Sequence, residues 1–217
     1  MRYKKQRPHK EIGDKGQKLL ESQTVTLIGV GGVGSKVAEL LARTGIGLRI
    51  IDKGRVELED LQKQALYSED DITRFKAKQA KRALELINSK VKVKTFHEEL
   101  IERNLFLLKS NLVIDCSDDP ELSARIGTYT KKCKIPEIYC YVSGSKGLVQ
   151  ASNKGINFKK LEKTINLIKK DEGSLGATTQ MASAIVMAKA IKILLGKKYS
   201  KNPIVFDVWT NSMREKK

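Results

Sequence analysis

A run of strand-forming residues, Thr24-Val25-Thr26-Leu27-Ile28, feeds into Gly29-Val30-Gly31-Gly32-Val33-Gly34. The turn then opens onto Ser35-Lys36-Val37-Ala38-Glu39-Leu40-Leu41. This is G-x-G-x-x-G with one extra glycine, placed between a predicted strand (residues 24–30) and a predicted helix (residues 35–43). Glycine reaches the positive φ of such a turn, and a helix opening there points free N–H groups and a partial positive charge at an anion. Few architectures place a strand, a tight turn and a helix in that order, and the commonest is a parallel α/β sheet. NAD, FAD, S-adenosylmethionine and ATP proteins all use versions of the turn.

The same alternation continues. Strands are expected at residues 48–51, 91–96, 112–116 and 137–142, and helices at 71–88, 101–108 and 120–133. Beyond these come an antiparallel strand at 147–152, an amphipathic segment at 157–170, a long helix at 176–195 and a last strand at 204–208. The basic residues 1–10 read as extended, and a short helix over 11–22 turns Leu19 and Leu20 inward. The fold class is therefore α/β: a Rossmann-like, doubly wound, mostly parallel sheet with an antiparallel C-terminal extension. Its 217 residues make one domain, with residues 1–22 as an N-terminal arm and helix and residues 153–175 as a short crossover segment.

In an open α/β sheet, ligands sit outside the carboxyl ends of the strands. Gly29, Gly31, Gly32 and Gly34, then Asp52, then Asp118 in Asp115-Cys116-Ser117-Asp118-Asp119, all fall at such ends. One crevice can thus hold a phosphate cradle, a ribose acceptor (Asp52) and a magnesium carboxylate (Asp118), with Lys63 and Lys76 to neutralise phosphate oxygens. Asp118 and Asp119, standing before Pro120, also fit a helix cap.

Charge is the second constraint. Forty-two basic against 25 acidic residues leave a net +17. Such a field suits an anion such as ATP or an acidic protein partner, a nucleic acid, or simply a lysine-rich, thermophilic proteome. Aromatics are only 6%, and no basic run is interleaved with them, so a stacking platform for single strands is disfavoured. Cys116, Cys133 and Cys140 form no C-x-x-C pair, which argues against a zinc site. Cys133 and Cys140 are expected to pack inside helix and strand, and the stripe Met181, Ile185, Ala188 and Lys192 to be core or dimer surface. The N-terminus lacks the apolar run of a signal peptide, and the most apolar late stretch is too charged to span a bilayer, so a cytoplasmic location and no membrane contact are the expectation.

These motifs together resemble the ThiF/MoeB/HesA family, within the superfamily of ubiquitin-activating enzymes. The resemblance runs from Arg2-Tyr3-Lys4-Lys5-Gln6 through Gly16-Gln17, the glycine turn, Leu61-Gln62-Lys63-Gln64, Lys76 and the Asp115–Asp119 motif to the late helix. It implies an adenylyltransferase that uses ATP and Mg2+ to activate a carboxylate. The acceptor it implies is the Gly-Gly tail of a ubiquitin-like or sulfur-carrier protein, or else a small-molecule carboxylate or a modified tRNA base. Position by position, it places the glycines, Asp52, Asp60, Gln64 and Ser117 on the nucleotide and Asp118 on magnesium. Lys63, Lys76 and Lys5 would stabilise phosphate charge, with Lys5 delivered across a homodimer interface. Lys5 and Lys63 stand where the family uses arginine, Asp60 where it uses asparagine, and Gly54 where it often has a second acid. Lysine keeps the charge but loses the bidentate fork. An NAD-dependent oxidoreductase and a catalytically weak nucleotide-binding subunit are the competing readings.

Overall fold

The computed structural model describes residues 2–168 and 173–216. Residues 169–172, which include the end of the expected 157–170 segment and part of the expected crossover, lie outside the described residues. Among the described residues eight strands form one sheet in the order β3-β2-β1-β4-β5-β6-β7-β8. These are β1 (Thr24–Ile28), β2 (Gly47–Ile51), β3 (Val93–Phe96), β4 (Leu112–Asp115), β5 (Glu137–Ser143), β6 (Lys146–Ser152), β7 (Ile204–Asp207) and β8 (Ser212–Glu215). The first five run parallel, and β5 to β8 pair antiparallel.

Strand alternation sorts side chains into two cores. Val25, Leu27, Leu48, Ile50, Leu112 and Ile114 face α1 (Gly13–Ser22), α2 (Gly32–Thr44), α3 (Lys76–Ile87) and α6 (Gly176–Leu194). Ile28, Ile51 and Val113 face the opposite layer, formed by a 3₁₀ stretch (Glu102–Leu108) and α4 (Pro120–Cys133). Tyr139, Tyr141 and Leu148 continue that layer against α5 (Phe158–Ile168). The result is the helix–sheet–helix sandwich that continuous apolar strands require.

Several expectations need correction. The stretch expected to be extended, residues 1–10, is coiled where it is described: Arg7 N–H donates to the Tyr3 carbonyl (3.0 Å) and Gly13 N–H to that of His9 (3.0 Å). Leu20 is buried, but Leu19 is exposed. The helix expected from residue 71 starts at Lys76, because Glu69–Asp71 forms a separate 3₁₀ turn and Thr73 takes φ 69°. In α6 the fully buried stripe is Ala182, Val186, Ala190 and Leu194; of the stripe expected as core or dimer surface, Met181 and Ile185 pack partly buried against the core, and Ala188 and Lys192 are exposed. Cys140 is buried as expected, but Cys133 is exposed at the end of α4. β8 had no sequence signal, since all four of its residues are exposed.

Candidate active site

The chain leaves β1 toward β2 on one side and returns to β4 on the other, so the ends of β1 and β4 part to form a crevice. It holds a cavity of about 450 Å³. Of the residues nominated from sequence, Gly29, Gly31, Gly32, Asp52, Asp60, Lys63, Gln64, Lys76, Ser117 and Asp118 line it. Gly34 and Lys5 do not.

The glycines divide the work. Gly29 sits at φ 79°, and a Cβ there would lie 2.6 Å from the Cys116 carbonyl oxygen. A Cβ on Gly34 would lie 2.0 Å from the Gly29 carbonyl oxygen, so Gly34 lets α2 close onto the turn and does not face a ligand. Gly31 is the open position: a Cβ there would meet only the Gln64 side chain, at 3.9 Å. The N-cap of α2 is Gly31, and among the described residues no side chain caps the helix, so its first amides are open to an anion.

The cations differ in their partners. Lys76 Nζ lies 2.8 Å from an Asp60 carboxylate oxygen. Asp60 also accepts from the Glu57 backbone N–H (3.0 Å) and the Gln64 side-chain amide. A Cβ at Gly54 would lie 3.1 Å from an Asp52 carboxylate oxygen and 3.5 Å from the Lys76 stem. Lys63 Nζ donates to the hydroxyl of Ser174 (3.1 Å), a neutral partner, so no carboxylate among the described residues offsets its charge. Gln64 Oε1 is buried without a hydrogen-bond partner among the described residues.

The two aspartates before Pro120 separate cleanly. Asp119 caps α4, accepting from Glu121 N–H and Leu122 N–H at 3.0 Å each. That leaves Asp118, exposed and at φ 58°, on the cavity wall. Ser117 turns back onto buried Asp115, donating from N–H (3.0 Å) and hydroxyl (2.7 Å). Burial, and then the Asp118 charge, push the Tyr141 hydroxyl above its usual range. Burial likewise pushes the Cys116 thiol well up, so it is not an activated nucleophile.

Asp52 braces the turn, accepting from Val30 N–H (2.8 Å) and Gly54 N–H (2.7 Å). It stands between the main cavity and a second one of about 260 Å³. Ile28, Ile51, Leu100 and Leu122 give that second cavity apolar walls, and it shares Gly29, Asp52 and Ser117 with the first. Sequence reasoning missed Tyr141, Ser143, Ser174 and Thr179, which complete the main cavity. The carboxyl-end rule, applied to β5, would have found Tyr141 and Ser143. Nothing local marks Ser174, which reaches the site because Gly144 N–H bonds the Gly173 carbonyl (2.8 Å).

Comparison with known proteins settles the family. The profile described as ThiF family matches residues 3–217. The chain belongs to the ThiF family. This ThiF-family protein is 31% identical to the sulfur carrier protein ThiS adenylyltransferase of Bacillus subtilis, over 99% of its own length and 67% of the relative's. It is 26% identical to the molybdopterin-synthase adenylyltransferase of Haemophilus influenzae, over 99% of its length and 93% of the relative's. Its fold matches E. coli MccB, crystallised with MccA-N7isoASN, at a TM-score of 0.80 and 22% identity. That alignment covers 92% of this chain, which spans 65% of the MccB chain. Among the described residues of this ThiF-family protein, no helix is long and apolar enough to cross a membrane.

Proposed function

We propose that this chain is an ATP-dependent adenylyltransferase that activates the C-terminal carboxylate of a ubiquitin-like or sulfur-carrier protein. The observation that carries the reading is one cavity lined by the uncapped start of α2, two lysines and the Asp118 carboxylate. The named adenylyltransferase relatives supply the reaction class.

In this reading the triphosphate lies against Gly31 and Gly32, and the adenosine occupies the smaller, apolar-walled cavity. Asp52, with lone pairs left after two backbone bonds, accepts a ribose hydroxyl. A carboxylate oxygen attacks the α-phosphorus, and pyrophosphate leaves. Lys63, paired among the described residues only with the neutral Ser174 hydroxyl, places positive charge at the departing phosphates, while Lys76 is held in place by Asp60. Gln64 Oε1, without a partner among the described residues, offers an acceptor to a donor on the ligand. No protein nucleophile is needed for this step.

Magnesium fits the donor set. One exposed carboxylate, Asp118, faces the cavity, and among the described residues no group of three or more His, Cys, Asp or Glu gathers to cage a metal. Magnesium takes one or two carboxylates and fills the rest of its shell with phosphate oxygens and water. When bound it would draw charge from the triphosphate. Lys5 lines neither cavity and is exposed, so in this reading it acts from a second copy of the chain. A redox reading does not need Lys63 or Asp118.

The test is ATP–pyrophosphate exchange. Exchange should appear only with a Gly-Gly-tailed carrier and vanish when the two glycines are removed. Exchange with a small carboxylate instead would overturn the acceptor, and none with any carboxylate would overturn the enzyme.

A further inference from the structure

Arginine is scarce in this chain: ten, against 32 lysines. Three of the ten, Arg55, Arg74 and Arg82, line a single surface cavity of about 490 Å³ together with Lys78. This cavity shares no residue with the candidate active site. None of the four cations makes an ion pair among the described residues. The acids next in sequence, Glu69, Asp70 and Asp71, do not line it, and Asp71 accepts from Ser68 N–H (3.0 Å).

Arg55 is held before any ligand arrives. Arg55 donates from Nη1 to the Thr73 carbonyl (2.6 Å), and its guanidinium lies 3.9 Å from the centre of the Phe75 ring. Phe75 also stacks on His97, ring centres 3.6 Å apart. Thr73 is a β-branched residue at φ 69°, a costly backbone that its N–H bond to the Val56 carbonyl (2.8 Å) maintains. On α3, Lys78 and Arg82 stand one turn apart on the same exposed face.

We infer that this cavity binds the phosphodiester backbone of a nucleic acid strand. Guanidinium forks match phosphate oxygens two at a time, which lysine cannot do. Three of the chain's ten arginines gather here, and no carboxylate is among the cavity's lining residues. The lining argues against a protein partner: its one aromatic ring lies under Arg55, so it lacks the apolar anchor a protein interface needs. Nucleic-acid sites are polar and strongly positive. With no free ring to stack a base, the cavity reads phosphates and not sequence.

The test is fluorescence anisotropy of a labelled single-stranded RNA against the full chain without ATP, over a range of salt. The triple variant R55A/R74A/R82A should bind about tenfold or more weakly, and its log–log salt slope should fall by about 2. A control of equal charge loss, K10A/K160A/K201A, should keep the slope nearer to the native one. R82K, which retains charge without the fork, should fall between native and R82A. Tripolyphosphate should compete with the RNA. Equal loss in the two triple variants would overturn the site in favour of a diffuse field. Tighter binding of polyglutamate than of RNA, lost in the arginine variant, would overturn it in favour of an acidic protein. Tripolyphosphate bound without RNA binding would reduce it to a small-anion site. ATP–pyrophosphate exchange by the arginine variant should be unchanged, so the outcome stands apart from the adenylation reading.

Discussion

The parallel half of the sheet and its antiparallel extension are built to different tolerances. In β1 and β4 nearly every residue is buried, and the loops at their ends meet backbone to backbone, as where Gly29 approaches the Cys116 carbonyl. In the extension, burial fades strand by strand until β8 exposes all four residues, and Trp209 and Met213 stand 79% and 60% exposed. The difference follows from the position of the crevice. Parallel strands splay at a switch point and must hold several loops in one crevice, whose far wall, Tyr141 and Ser143, comes from β5, whereas β6, β7 and β8 contribute no lining residue. Precision should therefore be costly to disturb in the first half and cheap in the second.

The largest effect should come from Asp118, to which the proposed reaction assigns the magnesium. Asp118 sits at φ 58°, a region asparagine tolerates. D118N should cut carboxylate-dependent ATP–pyrophosphate exchange by at least about 100-fold. Its melting temperature should stay within about 2 °C of the native one, since Asp119 and not Asp118 caps α4. Native-like exchange in D118N would remove this carboxylate from the mechanism.

A glycine pair compares the halves directly. The Cβ of G34A would lie 2.0 Å from a backbone oxygen of Gly29 that cannot move without opening the turn. The Cβ of G147A would lie 2.2 Å from Phe206 Cζ, the edge of a ring that can tilt. G34A should cost about 3 kcal/mol in urea unfolding and abolish exchange, and G147A about 2 kcal/mol with exchange per folded molecule retained. Equal damage to exchange by both would show that the extension is as tightly coupled to the site as the parallel strands are.

The same contrast explains what the sequence made legible. The parallel strands announced themselves because burial on both faces demands continuous apolar runs such as Leu112-Val113-Ile114. Their carboxyl ends then placed Gly31, Asp52 and Asp118 around one cavity. β8 was invisible, because Ser212-Met213-Arg214-Glu215 buries nothing and carries no hydrophobic period. Leu19 was misplaced because α1 offers two adjacent leucines to one narrow seam and only Leu20 reaches it. Ser174 and the pairing of Lys76 with Asp60 depend on loops folding back across the chain, and no local pattern encodes that. Lys5 was nominated on resemblance alone, and within one chain it lies outside the cavity.

Glu137 stands at the seam between the halves, since β5 pairs parallel with β4 and antiparallel with β6. It is fully buried, and one of its oxygens accepts from the Thr130 hydroxyl (2.7 Å) and Ile156 N–H (3.2 Å), tying α4 to the loop before α5. Its other oxygen has no partner among the described residues. Burial is the main cause that pushes its carboxyl from 4.5 up to about 7, and the charge of Asp115 adds to it. A raised acid holds its proton in the folded chain and releases it more readily when unfolded, so its stabilisation is complete below about pH 4.5 and is lost as pH rises toward about 7. The loss assigned to this group should be on the order of 2–3 kcal/mol. In urea titrations at pH 5 and pH 8, E137Q should therefore lose less stability with rising pH than the native chain, by roughly that amount. Buried Asp115, also pushed up by burial, remains in the variant and keeps some of the slope. A pH dependence identical in the two chains would mean that Glu137 titrates as though exposed, and that the seam is open to water.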